Sequence, residues 1–175
     1  VIMNNLSLKN LIFRLLLPAL LAVSSGASAQ SAKELKEIFN QAESFYLYEE
    51  YELANQLYIL LENPDNLNVS YKIGTCYLNI TDEKDKAIPY LEAAVKNAAY
   101  DAKPSKFKEK RAPLDAWFYL AKAYMISNDL EKSLQTFQTF KTLAAQTKDK
   151  KGMANLSFVD QQIEACNNAR SEERR

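Results

Sequence analysis

The stretch YKIGTCYLNI, residues 71–80, carries apolar side chains at helical spacing with Gly74 in their midst. Glycine inside a helix costs roughly 1 kcal/mol relative to alanine. The chain holds only three glycines, so this one is not filler. A helix accepts it where a neighbouring helix crosses too close for a Cβ.

Working outward, the sequence reads as helix pairs. The helix around Gly74 carries Val69, Ile73 and Tyr77, and its successor carries Ala87, Leu91, Ala94 and Val95. Pro89 is tolerated only in a first turn, where its missing N–H has no intrahelical partner. The second helix is therefore expected to start near Lys84 to Lys86, with Asp82 or Asp85 as cap. Upstream, Leu35, Ile38, Ala42, Phe45 and Tyr46 define one helix, and Tyr51, Ala54, Leu57, Tyr58 and Leu61 another, ended by Pro64-Asp65-Asn66. Downstream, Trp117, Leu120, Ala121 and Tyr124 precede Leu130, Ser133, Leu134, Phe137 and Phe140, with Asn128-Asp129 as a capped turn. A last helix over about 149–169 places Met153, Leu156, Val159, Ile163 and Cys166 on its apolar side. Residues 170–175 read as a frayed, charged tail.

The three pairs align. Their first helices give Ala42-x-x-Phe45, Gly74-x-x-Tyr77 and Ala121-x-x-Tyr124; their second give Ala54-x-x-x-Tyr58, Ala87-x-x-x-Leu91 and Ser133-x-x-x-Phe137. A small residue, an aromatic three later, then a small residue with a large one four later resembles the tetratricopeptide repeat pattern over about residues 32–146. That resemblance implies an all-α, right-handed superhelix of about three helix pairs plus a C-terminal capping helix. The repeats would span about 35–66, 67–97 and 114–146 within a domain of residues 30–169. Ala42 would oppose Ala54, Gly74 would oppose Ala87, and Ala121 would oppose Ser133.

The first helices of such an array line its concave side. Groove candidates are then Phe39, Glu43 and Tyr46; Tyr71, Thr75 and Leu78; and Phe118, Lys122 and Met125. The surface is aromatic and nearly uncharged. Family members that clamp a terminal carboxylate use Lys and Asn there, and only Lys122 qualifies, so an apolar peptide or helix is the expected occupant. Residues 98–113 are extra between the second and third pairs. They form a loop or a helix extension carrying Lys103, Lys106, Lys108, Lys110 and Arg111, which is either solvated or a contact for an acidic surface.

The first thirty residues are a separate object. Lys9 and Arg14, an apolar run from Leu15 to Val23 and Ala27-Ser28-Ala29 make a secretory signal peptide, residues 1–29, with Met3 read as its start. The run is too short to span a bilayer, which takes ~20 residues. The expected home is the periplasm, with no transmembrane segment after cleavage. Without Lys9 and Arg14 the chain has 20 basic against 22 acidic residues, which argues against a nucleic-acid binder. Cys76 and Cys166 fall on apolar helix faces, where free Cys is a common small core residue.

No catalytic set is visible. The chain has no His, hence no triad and no His-metal site, and no Gly-rich phosphate loop. Neither a cofactor, a metal nor a small-molecule substrate is expected, and the chain does not read as an enzyme. In their order, SYKIGTCYLNI, KAIPYLEAAV, KEKRAPLDAWFYLAKAY and IEACNNA also resemble the N-terminal repeat region of outer-membrane-associated proteins of Bacteroidetes-type bacteria. In those proteins a WD-type β-propeller and an OmpA-like domain follow the repeats. Neither is present here, so the sequence reads as a truncated frame or a stand-alone module. The expected function is a scaffold for envelope proteins in an outer-membrane-associated or secretion assembly; the alternative is a periplasmic chaperone-like binder of exported clients.

Overall fold

A computed structural model describes residues 32–147, 156–173 and 175. The chain divides into two units at residues 32 and 33, and the helices described below belong to the second. The signal-peptide reading lies outside the described residues, as does the start expected for the last helix. Seven α-helices are described: α1 (Ala32–Leu47), α2 (Tyr51–Ile59), α3 (Leu67–Asn79), α4 (Ala87–Ala94), α5 (Ala116–Ile126), α6 (Leu130–Ala145) and α7 (Leu156–Glu173). Short 3-10 turns at Lys84–Lys86 and Val95–Asn97 flank α4. The architecture is an all-α helical repeat: α1–α2, α3–α4 and α5–α6 form three successive hairpins, and α7 packs on α6.

The seam expected at Gly74 is present. A Cβ on Gly74 would lie 2.6 Å from Cγ of Leu91 and 3.3 Å from the Ala87 carbonyl oxygen. Real Cβ atoms do not come within 2.6 Å of another heavy atom, so the bare backbone of α3 at Gly74 packs directly against the Leu91 side chain and the Ala87 carbonyl of α4. In the third pair the Ser133 hydroxyl donates to the Ala121 carbonyl at 2.9 Å, which explains a serine where its counterparts are alanine. Ala42 and Ala54 of the first pair are both fully buried.

Each hairpin turn holds one residue in the left-handed region: Glu49 (φ 61°), Asp82 (φ 66°) and Asn128 (φ 59°). In the first and third turns the same 6→1 bond closes the helix, Glu50 N–H to Phe45 and Asp129 N–H to Tyr124, both 2.9 Å. Twelve positions separate Ala42 from Ala54 and Ala121 from Ser133, but thirteen separate Gly74 from Ala87. The second turn absorbs the additional residue. Asp82 occupies that turn instead of capping α4, and no side-chain cap forms on the Lys84–Lys86 turn or on α4, so neither Asp82 nor Asp85 has the capping role expected. Pro89 does fall in the first turn of α4. Asp129 caps α6 by accepting from the Lys132 N–H at 3.2 Å.

Residues 98–113 are neither a helix extension nor a plain solvated loop. After the 3-10 turn at Val95–Asn97, Ala99 pairs with residues 112–114: its N–H donates to Ala112 (2.9 Å), and it accepts from Leu114 N–H (3.1 Å). Between those ends the loop folds over the start of α3. The Lys110 carbonyl takes the Asn68 N–H, one of the amides that a first helical turn leaves unpaired, and Pro104 takes the Asn68 side chain, each at 3.0 Å. Phe107 reaches Phe39 of α1, ring centroids 5.8 Å apart. The loop thus joins the main core, which runs from Phe39 to Tyr124 through the first two pairs. A second cluster joins Ala121, Leu134, Phe137 and Phe140 to Val159 and Cys166 of α7.

The C-terminal tail reading needs correction. α7 continues to Glu173, and Arg170 pairs with Glu131 of α6 at 2.5 Å, an anchor that a sequence scan for low complexity does not reveal. Cys76 and Cys166 are free thiols in different clusters, and burial pushes the Cys76 thiol up to about 12, so it stays protonated.

Substituting Gly74 by Leu is expected to lower unfolding free energy by ~1–3 kcal/mol or more through overpacking. Even Gly74→Ala is expected to destabilise, although an ordinary helical site gains from that change. Urea titrations of both variants check this, and adding Leu91→Ala should recover part of the alanine variant's loss.

Candidate functional site

Helices α1, α3 and α5 bring a run of aromatic rings together. Tyr71 meets Tyr119 edge-on at 5.9 Å between centroids, Phe118 meets Tyr119 at 5.6 Å, and Tyr46 meets Tyr51 at 5.5 Å. Such T-shaped pairs set a positive ring edge on a negative face, which fixes ring orientation as well as contact.

Not every groove candidate faces outward. Phe39, Tyr71, Thr75 and Leu78 are buried. Phe39 packs between Tyr58 of α2 and Phe107 of the 98–113 loop, so the loop's return removes it from a binding surface. Thr75 turns its hydroxyl onto the Lys72 carbonyl at 3.0 Å. Tyr46, Phe118, Lys122 and Met125 are half-buried, and Met125 packs against the second cluster.

Glu43 has an internal role. Lys72, 4% exposed, extends its ammonium to Glu43 at 2.7 Å and over the Tyr46 ring, 4.3 Å from the centroid. The Tyr58 hydroxyl also donates to Glu43. Burial, reinforced by that carboxylate, pushes the Tyr58 hydroxyl far above its ordinary value, so it remains a donor. A buried charge persists only when paired and hydrogen-bonded, and this network ties α1, α2 and α3 together. Helical periodicity points to none of it: Lys72 lies off the apolar stripe, and its partner is 29 positions away.

Surface cavities border these elements, and two of them bear on the aromatic rings and the basic loop. One, of about 230 Å³, is lined by Asp115, Phe118, Tyr119, Phe140 and Phe158. Phe118 contacts Phe137, Phe140 and Phe158 there, at 5.6 to 5.9 Å between centroids, so the last helix covers part of the aromatic surface. The other, of about 420 Å³, is lined by residues that include Leu35, Phe39, Leu61 and Phe107, with Lys108 and Lys110. Lys103, Lys106, Lys108 and Lys110 are exposed. Arg111 is occupied, bonding Asp101 and Glu109 at 3.0 Å each, and Arg111 in turn lowers the Glu109 carboxyl to about 2. Among the described residues, no group of three His, Cys, Asp or Glu could hold a metal ion, and no helix is long and apolar enough to cross a membrane.

The arrangement is similar to that of PcrH in complex with the chaperone binding region of PopD, with a TM-score of 0.63 and 14% identity over 83% of this chain and 99% of that one. The fold is a tetratricopeptide-like helical array. It is also similar to the Yersinia enterocolitica type III secretion translocator chaperone SycD, with a TM-score of 0.61 and 18% identity over 85% of this chain and 97% of that one. No protein-family model matches the chain, and no curated protein matches it in sequence. At such low identity the likeness is one of fold.

Replacing Lys72 by Met strands Glu43 in the interior and is expected to cost roughly 3–5 kcal/mol of unfolding free energy, the range for breaking a buried pair from one side. Adding Glu43→Gln should return part of that loss in the same denaturant titration. The Glu109–Arg111 anchor has a carboxylate whose folded pKa is depressed. Its contribution is present above the ordinary carboxylate range and is lost only as pH falls toward about 2. The Arg111 Nε–H resonance should therefore hold its position to about pH 3 and shift below it.

Proposed function

We propose that this chain is a chaperone-like protein-binding module that holds an extended or helical segment of a partner against the aromatic surface that α1 and α5 present around the buried helix α3. The observation that carries this reading is the aromatic surface itself, on a fold shared over 83% of the chain with PcrH, which is seen in complex with the chaperone binding region of PopD. Half-buried Tyr46, Phe118 and Tyr119 offer ring faces and edges suited to apolar side chains. Nothing in this reading calls for catalysis. A periplasmic location belongs to the proposal on sequence grounds alone, from the basic, apolar and Ala-x-Ala segments of residues 1–29.

A scaffold in an outer-membrane-associated assembly is the second reading. It is favoured by the exposed lysines of the 98–113 loop beside an apolar cavity, a surface suited to an acidic folded partner. Charge complementarity of that kind sets specificity and association rate.

The two readings separate in one experiment. Fluorescence anisotropy with several unrelated unfolded, apolar client segments should show binding that Tyr119→Ala together with Phe118→Ala weakens at least about tenfold. Charge reversal at Lys103, Lys106, Lys108 and Lys110 should leave that binding unchanged. Failure to bind any unfolded segment, with loss of a single folded partner on charge reversal, would establish the scaffold in its place.

A further inference from the structure

Asp115 stands immediately before α5, where an aspartate ordinarily accepts a hydrogen bond from a first-turn amide. It does not do so here: its backbone is already helical (φ −58°, ψ −15°), and its side chain makes no capping bond. The carboxylate lines the 230 Å³ cavity among Phe118, Tyr119, Phe140 and Phe158. It forms no ion pair with a described residue. By surface area Asp115 is exposed, and partial burial raises its pKa, with no neighbouring cation or donor to offset that. A carboxylate that solvent reaches and that has no protein partner is available to a cation arriving from outside.

The walls are equally specific. Three or more aromatic rings beside one carboxylate recognise a cation through the ring quadrupole and the charge together. The apolar surfaces also match the methylene stem of a long basic side chain. The volume falls below the roughly 300–1,000 Å³ of pockets that take whole small ligands, and suits one side chain. We infer that this cavity receives the cationic side chain of an arginine or lysine carried by the bound partner segment, its charge meeting Asp115 and its stem lying against the rings. The inference rests on the segment-binding reading above and adds a charge requirement that the otherwise apolar surface does not impose.

The test uses the intact chain and a random-sequence peptide library displayed on phage. Selected peptides should share one basic residue at a constant position within an apolar context. Replacing that arginine by citrulline, or that lysine by norleucine, should weaken binding about tenfold, the order of one charge-assisted contact. Against Asp115→Asn the charged and neutral peptides should bind equally, with the melting temperature of the protein retained. Should that variant fail to fold, Phe158→Ala removes a half-exposed wall of the cavity and is expected to weaken the basic peptide several-fold; unchanged binding would overturn the inference. Apolar peptides selected with no basic preference would overturn it too, while leaving segment binding intact. A library that yields no binder, together with no affinity for unfolded clients, would remove both.

Discussion

The contact of Gly74 with the Leu91 side chain and the Ala87 carbonyl sets the spacing of the central hairpin. With Leu91 and the Ala87 carbonyl crowding the place of a Cβ, α3 and α4 lie closer here than a side chain at position 74 allows. Core packing is dense enough that one methyl group at such a seam is felt. The third pair solves the same problem with a hydroxyl bonded to a carbonyl, and the first with two alanines. The bulk missing from each seam is supplied beside it by large residues such as Tyr58, Leu91 and Phe137, all fully buried. Repetition of this exchange is what makes the hairpins stack.

Stacking three hairpins places α3 at the centre, packed by α2 and α4 and covered at its start by the 98–113 loop. The consequence is a helix whose polar residues also lie inside. Lys72 and Asn68 are buried, and each brings a partner from a distant element: Glu43 and Tyr46 from α1, Pro104 and Lys110 from the loop. These bonds orient α1 and the loop against α3, an alignment that apolar contact alone leaves loosely specified.

The same geometry explains how a fold can be shared at 14–18% identity. The seam demands small residues at two positions per pair and large ones beside them, and leaves other positions free. Those free positions carry what is particular to this chain: the rings of Tyr46, Phe118 and Tyr119, the carboxylate of Asp115, and the lysines of the loop. The candidate binding surface therefore consists of residues that the fold itself does not prescribe.

By itself the sequence determined the helical hairpins, their small-residue seams, the first-turn position of Pro89 and the capped turn at Asp129. All of these are contacts between residues close in the chain, so local periodicity and turn chemistry suffice to find them. It also contained the rings of the candidate surface without saying which ones stay open. Tertiary structure alone decided that Phe39, Tyr71, Thr75 and Leu78 are buried, that Glu43 belongs to Lys72, and that Asp115 forgoes its cap to face a cavity. It decided too that the basic loop is tied down at Ala99, Asn68 and Arg111. The burial of Phe39, the pairing of Glu43 and the anchoring of Asn68 depend on partners tens of residues away, brought together only once the hairpins have stacked, and no repeating pattern along the chain encodes them.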